Sequence, residues 1–313
     1  MTGFLERLDP ELLPGYEARP VLDFNDLAGV RRLFHDRAAR PLPHPDVARA
    51  DHITAAHDGE PVRVRVFRPK GVAEPVPCLY WVPGGGYVLT GPDLDDEWCE
   101  NIALRHGCAV VAVEWRRAPE HPFPAAADDC YGGLAWVARE SELLGIDRTR
   151  IMIGGASSGG GSAAGLALLV RDRGDLQIVH QLLVYPMIDD TSTTPSSHAV
   201  TDPRLWHREA NIIAWRAYLG DVFGTDQVSP YAAPSRMQDL SGLVPTTMLT
   251  GELDLFVDED VDYAQRLMAA GVSVELHVYR GAPHGFPRMN PEAAVTKQFL
   301  ADCDTTIERA LIR

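Results

Sequence analysis

Lysine is almost missing from this chain, which carries 29 lysines and arginines but has lysine only at Lys70 and Lys297. Both lie outside the glycine-rich turns, so Schiff-base or lysine-nucleophile chemistry has almost no candidates. Cysteine is also scarce. Cys78, Cys99, Cys108, Cys130 and Cys303 are odd in number and form no C-x-x-C pair, so they suggest neither a disulfide framework nor a zinc site and read as buried thiols. An excess of basic charge is missing too: the net charge is -15 and the pI about 5.1, which excludes nucleic acid and stable membrane association through an anionic surface. The acidic excess reads as a solvated surface. No stretch approaches the roughly 18 apolar residues of a membrane span, and charges and prolines interrupt the opening "MTGFLERLDPELLPGYE". A soluble, cytoplasmic protein is the expectation. Internal repeats and low-complexity tracts are absent as well.

What is present is apolar material in a regular rhythm. With 313 residues and 45% hydrophobic content, the chain can build one large domain with an appendage, or two small domains. The first 50 residues read as helical pieces, Leu27 to Arg40 the clearest, ending in "RPLPHP". "VRVRVF" at 62–67 then alternates like a half-exposed strand. "CLYWV" (78–82), "AVVAVE" (109–114), "RIMIG" (150–154) and "QLLVYP" (181–186) are continuous apolar runs, the pattern of parallel strands buried on both faces. Helical patterns separate them at Leu94 to His106, Pro124 to Glu140 and Ser158 to Arg173. A last one, Asp258 to Ala270, is closed by Gly271 before "VSVELHVY". This alternation predicts an α/β fold with a mostly parallel sheet covered on both faces. Residues 189–226 break it, starting polar and becoming an aromatic helix pattern with Trp206, Trp215, Tyr218 and Phe223. A segment of that length acts as a lid. The expected division is a core over 46–188 and 227–313 with a small helical cap over 1–45 and 189–226.

The chemistry points to the turn after the "RIMIG" run. Gly155-Ala156-Ser157-Ser158-Gly159 matches G-x-S-x-G, with a buried strand before it and a helix of small residues after it. Ser157 is the correctly bracketed serine. Ser158 falls where a backbone N–H faces the site, so its side chain reads as a small packing residue. A phosphate-binding turn is excluded by the missing Lys of a P-loop and the missing G-x-G-x-x-G order. A nucleophilic serine needs a base, an acid to orient that base, and donors for an oxyanion. His284 in "GAPHGF" follows the last strand. Asp254 leaves the "PTTMLTG" run, with Glu252 and Asp258 as neighbouring acids, and Asp258 reads as charge at a helix N-terminus. Consecutive glycines in "PGGGYVLTG" at 83–91 can present N–H groups to a developing oxyanion.

Taken in order, "PGGG", "EWRRAPEHPFPAA", "GASSGG", "DLFVDE" and "HGF" make the chain resemble the hormone-sensitive-lipase-like esterases of the α/β-hydrolase superfamily, over about residues 62–300. The resemblance implies an α/β-hydrolase fold and a serine carboxylic ester hydrolase acting on short to medium acyl esters through an acyl-enzyme, with no cofactor and no metal. It implies Ser157 as nucleophile, His284 as general base and then acid, Asp254 as the orienting carboxylate, and Gly85, Gly86 and Ser158 as oxyanion-hole donors. It leaves open a homodimer formed through the last strand. Amidase or lactonase chemistry on the same triad, or a ligand-binding homologue without turnover, stay as alternatives. Pro83 stands where the family has histidine, and Ala156 where it usually has aspartate. Both departures remove a polar group that braces the loops.

Overall fold

The four continuous apolar runs come together in the interior of a single eight-stranded sheet. The computed structural model describes residues 2–37, 43–73, 75–89 and 91–312. Its strands are β1 (Val47–Ala55), β2 (Pro61–Pro69), β3 (Val76–Val82), β4 (Ala109–Glu114), β5 (Ile146–Ala156), β6 (Gln181–Val184), β7 (Thr246–Gly251) and β8 (Val274–Tyr279). They lie in the order β1-β2-β4-β3-β5-β6-β7-β8. Pairings are antiparallel from β1 through β2 to β4 and parallel from β4 to β8. Every residue of β3, β6 and β7 is buried, as continuous apolar runs require of strands covered on both faces.

The α-helices are α1 (Thr2–Arg7), α2 (Leu13–Glu17), α3 (Leu27–Arg37), α4 (Asp96–His106), α5 (Ala125–Arg139), α6 (Ser141–Leu144), α7 (Ser158–Arg173), α8 (Pro195–Ala199), α9 (Arg208–Leu219), α10 (Val257–Ala269) and α11 (Ala294–Ile307). α5 packs with α7 and α4 with α11, while α4 and α5 both cover β2 and β4, so these two pairs lie on opposite faces. α7 is buried along most of its length. Its run of Gly and Ala lets it lie close against β5 and β6.

Several sequence expectations need adjustment. β2 is buried over most of its length, because β1 pairs outside it and Arg65 is drawn into carboxylates, with Asp51 at 2.7 Å, Asp93 at 2.6 Å and Asp96 at 2.8 Å. The "QLLVYP" strand ends at Val184. β1 and α11 have no counterpart among the sequence expectations. The helix expected from Leu27 to Arg40 is seen to Arg37, and residues 38–42, including the first part of "RPLPHP", lie outside the described residues. All five cysteines are buried and unpaired, and burial raises the proton affinity of each thiol. Among the described residues no helix is long and apolar enough to cross a membrane.

The N-terminal segment and residues 189–226 meet over the carboxyl ends of the strands. Leu22 N–H donates to the Pro203 carbonyl at 3.0 Å, and Phe24 packs edge-on against Trp206 with centroids 5.1 Å apart. Arg31 of α3 reaches the loops after β3 and β4, donating to the Val88 carbonyl at 2.8 Å and the Ala118 carbonyl at 2.7 Å. α9 is held to the loop after β3 by aromatic packing: Tyr218 stacks on Tyr87 at 3.8 Å, and Trp215 lies 5.3 Å from that ring. Such pairs contribute about 0.5–1.5 kcal/mol each beyond their buried area.

Candidate active site

Ser157 occupies the sharp turn between β5 and α7 with φ 58 and ψ -123, a conformation a side-chain-bearing residue rarely adopts. Holding it there costs about 1–3 kcal/mol, so the surroundings must over-determine it. They do so through the backbone. Ser157 N–H donates to Val184 O at 2.9 Å, and its carbonyl accepts from Gly161 and Met187, both at 3.0 Å. The small neighbours have a steric reason. A Cβ on Gly159 would lie 2.0 Å from the Val82 oxygen, and one on Gly84 would lie 2.6 Å from the Ala156 oxygen. Only glycines let the elbow and the loop after β3 touch.

The side chain of Ser157 meets a histidine from the far end of the chain. His284 Nε2 lies 3.0 Å from Ser157 Oγ, and its Nδ1 lies 2.7 Å from Asp254 Oδ2. With Nδ1–H donating to the carboxylate, Nε2 is left to accept from the serine hydroxyl. The other Asp254 oxygen accepts from Phe256 N–H at 3.1 Å, which fixes the carboxylate in a site only 1% exposed. Tyr185 and Phe256 stand edge-on to the imidazole, at 4.8 Å and 5.2 Å between centroids, and hold its plane. Elbow, acid and histidine follow β5, β7 and β8, and the glycine loop follows β3. The site thus lies at the carboxyl ends of parallel strands, the usual binding edge of such sheets.

The neighbouring acids are engaged elsewhere. Glu252 accepts from Gly281 N–H at 2.8 Å and pairs with Arg7 at 2.9 Å, and these contacts hold its carboxyl below the usual range. Asp258 stands in the first turn of α10, as the sequence suggests. It accepts from Ser196 N–H of α8 at 2.7 Å and so caps a neighbouring segment. Ser158 is fully buried as the first residue of α7, and its hydroxyl has no partner among the described residues. Gly85 and Gly86 adopt positive φ, 135 and 59, and line a cavity of about 150 Å³ together with Ser157 and His284. At Pro83 the carbonyl accepts from the buried Trp115 indole at 2.9 Å, a brace that does not involve the residue's side chain.

The walls of this cavity include residues that carried no motif: Arg19, Leu22 and Phe24 from the N-terminal segment, Trp206, Tyr185 and Arg288. Arg288 lies four residues past His284, and Trp206 is one of the aromatics that marked the 189–226 segment. The N-terminal residues gave no sequence signal. Among the described residues no three His, Cys, Asp or Glu side chains gather as a metal site would need.

A mostly parallel sheet, a strained serine between strand and helix, and acid and histidine following it in chain order define an α/β hydrolase. Independent comparison agrees: residues 79–288 match the family described as alpha/beta hydrolase fold. The chain belongs to that family, in its hormone-sensitive-lipase-like branch. It is 40% identical to a solved bacterial heroin esterase, with a TM-score of 0.94 over 98% of this chain and 99% of that one. Esterase LipI of Mycobacterium tuberculosis is 33% identical over 285 residues, 89% of this chain and 88% of LipI. Carboxylesterase NlhH of the same organism is 36% identical over 241 residues, 76% of this chain and 75% of NlhH.

Proposed function

We propose that the chain hydrolyses carboxylic esters through an acyl-enzyme formed on Ser157. The observation that carries this reading is the continuous relay from Ser157 Oγ to His284 Nε2 at 3.0 Å and from Nδ1 to Asp254 at 2.7 Å. Ser157 attacks the ester carbonyl while His284 takes its proton. The imidazolium, oriented by Asp254, returns that proton to the leaving alcohol. Water then enters, gives a proton to His284 and attacks the acyl carbonyl. The acid departs and the proton returns to Ser157. N–H groups of Gly85, Gly86 and Ser158 receive the oxyanion at each addition. Similarity to proteins named esterase and carboxylesterase supports the same reaction class.

The cap of this proposal is formed by residues 1–45 and 189–226, whose Leu22, Phe24 and Trp206 give the cavity apolar walls. Its volume of about 150 Å³ is below the roughly 300–1,000 Å³ of sites for drug-sized ligands, which favours short to medium acyl groups. A panel of 4-nitrophenyl esters of rising acyl length tests the substrate range, with matched anilides beside them to separate esterase from amidase. Labelling by an organophosphonate tests the nucleophile. Ser157→Ala is expected to abolish labelling and turnover, and Ser158→Ala to retain most of both. Loss of labelling in Ser158→Ala alone would mean the elbow register is wrong.

A further inference from the structure

Two guanidinium groups line the cavity around Ser157, and they are not equivalent. Arg288 donates to Asp95 Oδ1 at 2.6 Å, while the other oxygen of Asp95 accepts from the Trp81 indole at 2.9 Å, so this guanidinium, on a side chain 60% exposed, already has its carboxylate. Arg19 has no such partner. Its one hydrogen bond among the described residues runs from Nε to the Arg204 carbonyl at 2.9 Å, which leaves both terminal nitrogens without an acceptor. The guanidinium is only partly exposed, and it sits beside the catalytic loop: a Cβ on Gly285, the residue after His284, would lie 3.9 Å from Arg19 Nη1. Leu22, Phe24, Phe34 and Trp206 make the apolar part of the surrounding wall, and the Asp95 carboxylate there is already held by Arg288.

An unpaired cation in such a place is unfavourable, because burial removes hydration and the nearby Arg288 charge repels it. A guanidinium cannot escape by losing its proton at physiological pH. The favourable resolution is an anion that arrives with the substrate. A guanidinium fork fits a carboxylate in bidentate geometry, and charge-assisted hydrogen bonds of this kind are roughly twice as strong as neutral ones.

Building on the ester-hydrolase reading above, we infer that the preferred substrates are esters carrying a free carboxylate, held by Arg19 while the ester carbonyl lies at Ser157. Arg19 is then a specificity residue, which binds the substrate away from the bond that breaks. Because the guanidinium is so close to the His284 loop, carboxylate and ester belong to one short molecule.

The test uses isosteric pairs in which only the charge differs. Monoethyl glutarate is compared with its carboxamide, which places the carboxylate on the acyl side. Acetoxyacetate is compared with acetoxyacetamide, which places it on the alcohol side. In at least one pair the wild-type enzyme is expected to favour the carboxylate in kcat/KM. Arg19→Gln should lower that carboxylate-to-amide ratio by about tenfold or more, mainly through KM, whatever it does to the amide itself. Arg19→Lys should restore part of the ratio, since it keeps the charge and loses the fork. A measurement independent of any variant is inhibition of a neutral ester by glutarate, expected to be about tenfold tighter than by its diamide. Ratios near one in both pairs, or ratios unmoved by Arg19→Gln, overturn the inference while neutral-ester turnover leaves the hydrolase reading standing. Failure of every ester together with failure of organophosphonate labelling overturns both.

Discussion

Two cavities divide Ser157, His284 and Asp254 between them. Ser157 and His284 line the smaller, about 150 Å³, and Asp254 lines the larger, about 670 Å³. The larger would be chosen on volume alone, yet its charges are spent on one another. Arg7 pairs with Glu252 at 2.9 Å, Arg204 pairs with Asp202 at 2.7 Å, and Tyr16 donates to the same Asp202. Even Asp258, on its rim, is committed to Ser196. In the smaller cavity Gly85, Gly86, the Ser157 hydroxyl poised on His284 and the Arg19 guanidinium face an incoming molecule. Size reports where packing is loose. Reactivity is found where polar groups are held in place without partners, because only those can exchange an interaction with the protein for one with a substrate.

The sharpest way to break this comparison is to change Asp254, which lines the larger cavity while bonding the His284 imidazole of the smaller. Asp254→Asn keeps the shape but leaves the imidazole in the wrong tautomer, which lowers turnover by about 10⁴ when the same change is made in a serine-protease triad. Turnover is expected to fall at least about 10²-fold here with little change in melting temperature. Asp258→Asn, in the larger cavity, weakens a charge-assisted bond to a backbone N–H, so about 1–2 kcal/mol of stability and less than about tenfold in turnover should be lost. Steady-state rates and thermal melts of both variants decide it. A crippled Asp258→Asn beside an active Asp254→Asn would reassign the acid and leave the Ser157–His284 pair intact.

A second pair of variants alters the walls. Trp206 is nearly buried, donates to Asn211 at 3.0 Å and closes over Gly86, where an added Cβ would strike its ring. Trp206→Ala opens the smaller cavity. The octanoate-to-acetate ratio of kcat/KM should rise about tenfold, and large-to-small aromatic truncation should cost about 3–5 kcal/mol of stability. Thr201 is exposed and lines the larger cavity. Thr201→Phe should change that ratio by less than about threefold. A strong effect of Thr201→Phe would mean that acyl chains use the larger cavity after all.

How much of this was legible in the sequence differs between the same two regions. Elbow, glycine loop, acid and histidine each had to be a short stretch of particular residue types, because strained turns admit glycine and the chemistry admits few side chains. The strands under them were equally readable, since both faces are buried. The wall residues had no such constraint. Arg19, Leu22 and Phe24 lie in a segment with no regular periodicity, and they meet Ser157 only through the tertiary fold. β1 escaped notice because its edge position leaves most of its residues exposed or half-exposed. α11 buries Thr296, Phe299, Cys303, Thr306 and Ile307, a helical stripe in which threonines hide the apolar period.

The smallest expected effect concerns Pro83, where the chain departs from the family's histidine at the entrance to the glycine loop. A histidine there implies a side-chain brace, so its loss would be expected to loosen the loop. The structure offers another brace, the Trp115 indole on the Pro83 carbonyl at 2.9 Å, and any residue at this position keeps that carbonyl. Tyr87 adds a second anchor: its φ of 61 is held by the stack on Tyr218, and its carbonyl accepts from Ala118 N–H at 3.0 Å. Because the loop is fixed at both ends by groups independent of the residue 83 side chain, Pro83→His should change turnover by less than about tenfold, or ~1.4 kcal/mol. Trp115→Phe keeps the ring packing but removes the indole donor, so it should cost more than Pro83→His in turnover measured at saturating ester. The reverse order would place the support of the oxyanion loop in the proline ring itself.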